Sequence, residues 1–83
     1  MTTIKHYTAT WCGPCRALKP IMQEIASQNP SVNYQVVDVD QNQAEATAMG
    51  IRSIPVVVVM KNGVETNRFV GIQSKAVYEQ AIR

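Results

Sequence analysis

Trp11-Cys12-Gly13-Pro14-Cys15 is the stretch on which the reading of this chain turns. It holds both cysteines, two residues apart, where a β-branched segment gives way to a helical pattern. With no other cysteine to build a disulfide framework, the pair speaks against a stapled secreted domain and for a redox or metal-binding dithiol in a reducing compartment. A cytoplasmic location is therefore expected. Structural zinc asks for four ligands, and His6, the only histidine, brings the set to three at best, so no metal is expected. Two inert thiols on a binding module are the remaining unreactive alternative.

On the N-terminal side, Thr3 to Tyr7 is rich in β-branched and aromatic types and reads as a short strand running into the motif. Lys5 and His6 are awkward there if the strand is central and covered on both faces, which marks one of them as placed for chemistry. On the C-terminal side a helix is expected from Pro14 to Gln28, with Cys12 near its cap and Pro14 in the first turn, where a missing N–H costs no bond. Leu18, Ile21, Met22, Ile25 and Ala26 form one apolar stripe, which Cys15 joins, while Arg16, Lys19 and Gln23 lie off it. The same periodicity predicts an exposed Cys12 above an inward Cys15. Pro20, inside the helix, is expected to kink it.

Asn29-Pro30-Ser31 closes the helix, and Val32 to Val39 reads as a second strand with Val32, Tyr34 and Val36 on one face and Val37 and Val39 on the other. Asp40 or Asn42 caps a short helix from Gln43 to Met49, ended by Gly50. The apolar run Ile54 to Met60 is the signature of a strand buried on both faces, which Pro55 can only begin. Asn62-Gly63 marks a hairpin, because both turn positions take positive φ, and Val64 to Val70 returns antiparallel. After Gly71, Ser74 caps a last helix with Val77, Tyr78, Ala81 and Ile82 on its buried side. Tyr7, Tyr34 and Tyr78 read as core or boundary residues. The order is β-α-β-α-β-β-α in a single domain over residues 1–83.

Composition narrows the partners. Eight Lys+Arg against six Asp+Glu leave a formal +2, spread from Lys5 to Arg83 with no stripe that tracks phosphates, so nucleic acid is not indicated. The stretch Met1 to His6 has no apolar core of a secretory signal, and the run Ile54 to Met60 falls far short of the ~20 residues a membrane helix needs. A monomer without a membrane partner is expected.

Together these features resemble the thioredoxin family. Trp11-Cys12-Gly13-Pro14-Cys15 stands as that family's active site does, and Pro20 matches the kink of its active-site helix. Arg52-Ser53-Ile54-Pro55 is similar to the loop whose proline is cis, and Lys61-Asn62-Gly63 with Val70-Gly71 is similar to the family's hairpin and the glycine after it. The resemblance implies a thioredoxin-like α/β fold: a central four-stranded mixed sheet flanked by helices. The sequence departs from the family in two ways. It starts at the active-site strand, without the strand and helix that precede it in ordinary thioredoxins, which gives it the size of a glutaredoxin and leaves the strand Val32 to Val39 as an uncovered edge. And where thioredoxins usually carry a buried aspartate, six residues before the first cysteine, this chain has His6.

The resemblance implies a protein disulfide reductase. Exchange needs a thiolate, and a helix N-terminus lowers a thiol from its ordinary ~8.5, so Cys12 is the expected nucleophile and Cys15 the resolving thiol, the two forming the redox-active disulfide. Trp11, Gly13, Pro14, Ile54, Pro55, Gly71 and Ile72 are the implied docking surface for disulfide-containing protein substrates. His6 is the candidate proton acceptor for Cys15. No bound cofactor is implied, and the electrons come from a thioredoxin reductase or an equivalent donor. The alternatives are a glutathione-dependent, glutaredoxin-like enzyme, against which Ile72-Gln73-Ser74 lacks the usual glutathione-holding glycines and acid, and a redox-independent accessory subunit.

Overall fold

In the computed structural model, which describes residues 1–83, the elements are β1 (Thr2–Thr8), α1 (Gly13–Gln28), β2 (Asn33–Asp38), α2 (Gln43–Ala48), β3 (Val56–Lys61), β4 (Val64–Val70) and α3 (Lys75–Ile82). The strands form one mixed sheet in the order β2-β1-β3-β4, with β1 and β2 parallel and the other pairs antiparallel. The strand that leads into the motif, β1, is thus central, and β2 is an edge, as expected.

Strand alternation gives the sheet two cores. Ile4 and Val57 face α1 and α3, where Leu18, Met22, Ile25 and Tyr78 complete a cluster of fully buried side chains. Tyr7, Val37, Val56 and Val58 point to the other face, covered by Met49 and Ile51. The helical stripe holds, with Ile21 and Ala26 half-buried at its flanks. Tyr78 anchors α3: its ring meets Phe69 edge to face with centroids 5.4 Å apart, and its hydroxyl accepts the Gln73 N–H at 2.9 Å.

Local details differ from the sequence reading for identifiable reasons. The third strand starts at Val56 and not Ile54, because Pro55 has no N–H for the ladder. Asn42 stands at the N-cap of α2 without a side-chain cap bond, and Ser74 does the same before α3. The turn before α2 is instead held by Asp38, whose Oδ1 accepts the N–H groups of Asp40 and Gln41 at 2.8 and 3.3 Å. Val77 is 37% exposed, since α3 docks through Tyr78 and Ala81, with Ile82 packed half-buried beside them. Asn62 and Gly63, at φ 55° and 83°, form the expected turn.

Lys5 shows how a central strand carries a charge. Its ammonium reaches the Glu45 carboxylate at 3.1 Å, and the Tyr7 hydroxyl donates to the same oxygen at 2.9 Å, so α2 is clasped to the sheet. These two donors, Lys5 first, hold the Glu45 carboxyl below its ordinary range. The helix that bears the motif depends on its apolar stripe. Leu18→Ala, at a site with no exposure, is expected to cost about 2–5 kcal/mol in urea unfolding, and a loss below about 1 kcal/mol contradicts this packing.

Candidate active site

The chain enters α1 through Cys12, which holds the N-cap position at φ −92° and ψ 108°. Gly13 and Pro14 form the start of the first turn, and Pro14 leaves no N–H unpaired there. The next free donor, the Cys15 N–H, points at Cys12 Sγ at 3.2 Å. Cys12 and Cys15 are joined by a disulfide with their Cα atoms 5.3 Å apart. The first turn contains no acidic residue, so the positive end of the helix is directed at Cys12 Sγ without competition.

One expectation is corrected here. Cys12 is not exposed: it is 5% accessible against 1% for Cys15. The bond to Cys15 holds its sulfur under the helix cap, where both cysteines pack with Ala9, and Val39 and Ile54 close around them. Helical periodicity separates residues inside the helix, and Cys12 lies just outside it.

The candidate docking residues surround this cluster. Ile54 packs directly on it, and the carbonyl of cis Pro55 accepts the Gly71 N–H at 2.8 Å, which brings the loop after β4 alongside. Gly71 sits at φ 82°, a conformation that a side chain strains, and Ile72 beyond it is 44% exposed. Trp11 is 67% exposed, its ring steadied by Nε1 donating to Asp40 at 2.8 Å. Asp40 was legible in the sequence only as a cap residue.

His6 is fully buried, so it does not face solvent. Its Nδ1 lies 3.4 Å from the Tyr34 hydroxyl, and its Nε2 is the only buried side-chain nitrogen or oxygen without a hydrogen-bond partner. Burial first, and the nearby Lys19 charge second, bring its pKa down to about 4. At neutral pH the ring is uncharged. His6 and Cys15 line a common cavity of about 340 Å³, together with Lys19 and Asp38. A second, larger hollow of about 540 Å³ lies between β4 and α3, lined by Lys61, Asn67, Phe69 and Gln80 among others, and none of the motif residues reaches it. No three His, Cys, Asp or Glu side chains converge as a metal-holding group, and no helix is long and apolar enough to cross a membrane.

The sequence profile of the thioredoxin family matches residues 2–83. The chain belongs to the thioredoxin family. It is similar to the thioredoxin of Chlamydia pneumoniae, with 38% identity over 69 residues, covering 83% of this chain and 68% of that one. It is also similar to thioredoxin H-type 1 of Nicotiana tabacum, with 34% identity over 80 residues, covering 96% of this chain and 64% of that one. The chain thus spans about two thirds of the length of these curated relatives. Among solved structures, a mutant thioredoxin from Halobacterium salinarum superposes with a TM-score of 0.92 at 33% identity, over 98% of this chain and 71% of that one. The thioredoxin of Fasciola hepatica gives 0.89 at 34%, over 96% and 77%. A family member with a Cys12–Cys15 disulfide at this position is a thiol–disulfide oxidoreductase, and its sheet is the thioredoxin-like fold.

The state of His6 has a consequence for stability. Its folded pKa, about 4, lies below the ordinary 6.5, so the folded thioredoxin domain binds the proton less readily than the unfolded chain. The associated stability is fully present above the unfolded value and is lost as pH falls through that window towards the folded one, by about 3 kcal/mol in total. Urea midpoints taken down through this range are expected to fall more steeply for the wild type than for His6→Gln. Parallel slopes contradict a neutral buried ring.

Proposed function

We propose that the chain is a protein disulfide reductase in which Cys12 attacks and Cys15 resolves. The observation that carries this reading is the polarity of the motif. Cys12 caps the helix and receives the Cys15 N–H, while Cys15 sits one turn in, nearly inaccessible. A Cys12 thiolate gains a charge-assisted hydrogen bond and the helix's positive end; a Cys15 thiolate gains neither. Cys12 therefore opens the substrate disulfide and becomes covalently joined to one of its sulfurs. Cys15 then attacks Cys12 Sγ, re-forming the internal disulfide and releasing reduced substrate. The two thiols hold both electrons, so the cycle needs no bound cofactor.

Substrate docks on Trp11, Gly13, Pro14, Ile54, Pro55, Gly71 and Ile72. The backbone supports this reading: Ile54 makes no hydrogen bond within the chain through its N–H or C=O, which leaves both free for an extended substrate segment. His6 receives the proton that Cys15 sheds, since its ring is uncharged, its Nε2 unpartnered and its cavity shared with Cys15. This domain works as a monomer in a reducing, cytoplasmic compartment and is re-reduced by a thioredoxin reductase.

Cys12→Ser is expected to abolish reduction of a protein disulfide, and Cys15→Ser to accumulate mixed disulfides through Cys12. Near-normal turnover by either variant contradicts the assignment. The donor is tested by supplying NADPH and thioredoxin reductase in one arm and glutathione in the other; turnover in the second arm alone assigns the glutaredoxin-like alternative. His6→Ala is expected to shift the pH profile of the Cys15 step, and an unchanged profile leaves His6 a structural residue.

A further inference from the structure

The cavity under the disulfide gathers more acid–base chemistry than the exchange steps use. Register explains the assembly: His6 pairs with Val36 and Thr8 with Asp38, so these four side chains share one sheet face, over which α1 lays Cys15 and, one turn on, Lys19. At about 340 Å³ the space is large enough for several water molecules among polar walls.

His6 alone does not complete the path of the Cys15 proton. It is fully buried, so it has no direct exchange with solvent. Burial first, and the neighbouring Lys19 charge second, disfavour a proton resting on its ring. Asp38 differs in its access to solvent: it is partly exposed while lining the same cavity. Its Oδ1 is fixed by the Asp40 and Gln41 N–H groups, and its second oxygen has no partner within the chain. Every ionisable side chain facing Asp38 across the cavity is named by these walls: Cys15, Arg16 and Lys19 of α1 and His6 of β1.

We propose that Asp38 is the acid–base group that carries the Cys15 proton between the cavity and solvent. The inference rests on the exchange reading above and deepens it. In the resolving step the Cys15 S–H bond breaks, and its electron pair forms the bond to Cys12 Sγ. The Cys12–substrate S–S bond breaks in turn, and the substrate sulfur leaves as a thiolate. The proton passes by way of His6 and cavity water to the free Asp38 oxygen and from there to solvent or to the departing thiolate. Two electrons move from the dithiol to the substrate, and on re-reduction the proton returns along the same path.

The test is single-turnover reduction of a protein disulfide by the reduced protein, followed through Trp11, the only tryptophan, which lies beside the disulfide. Asp38→Asn keeps an oxygen for the Asp40 and Gln41 amides, so the turn is retained. Its first phase, attack by Cys12, is expected to match the wild type, and its second phase to be about tenfold slower at neutral pH, with the difference closing as pH rises towards the thiol's own range. Asp38→Ala is expected to recover its second phase with added formate, in proportion to concentration, while the wild type does not respond. A second phase equal to wild type in Asp38→Asn overturns the proposal. So does a slowing in Asp38→Ala that formate does not relieve, which assigns Asp38 to holding the turn. Failure of Cys15→Ser to form any mixed disulfide overturns instead the exchange reading beneath it.

Discussion

Everything at the site depends on how α1 is pressed onto the sheet. Leu18, Met22 and Ile25 are buried against Ile4 and Val57, and that contact sets where the helix begins. Because it begins at Cys12, the Cys15 N–H of its first turn points at a sulfur and not at water. The apolar stripe is thus also the device that aims the helix's electrostatics. The packing of Ile54 on the cysteines and the Pro55–Gly71 hydrogen bond bring two further loops to the same spot, so a surface built from three separate stretches of chain surrounds one disulfide.

The central strand carries two polar side chains and accommodates them in opposite ways. Lys5 keeps its charge by reaching the edge of the α2 face and pairing with Glu45. His6 is instead uncharged at neutral pH: it stays under α1 with one ring nitrogen near Tyr34 and the other unpartnered. No protein atom pairs with its Nε2, and the ring lines a cavity together with Cys15.

Much of this was legible in the residues. The stripe of α1, the doubly buried run Val56–Val59 and the Asn62-Gly63 turn each follow from a local rule, and each is present. Cys12 was misplaced, because periodicity speaks only for residues inside the helix and the disulfide draws the cap residue inward. Asp38 was missed for a different reason. It falls at the end of a strand, and its sharing of a cavity with Cys15 depends on the parallel register of β1 and β2, which no local pattern encodes. The alternation Tyr34, Val36, Asp38 was the available signal, since it places Asp38 on the face of His6.

The central claim is that the start of α1 activates Cys12 and not Cys15. The most direct measurement is a titration of the reduced protein by thiolate absorbance, with Cys15→Ser as the reference that isolates Cys12. The account predicts that Cys12 titrates at least about one pH unit below the ~8.5 of a free thiol, with Cys15 well above Cys12. A Cys12 thiol titrating at or above ~8.5 would contradict it.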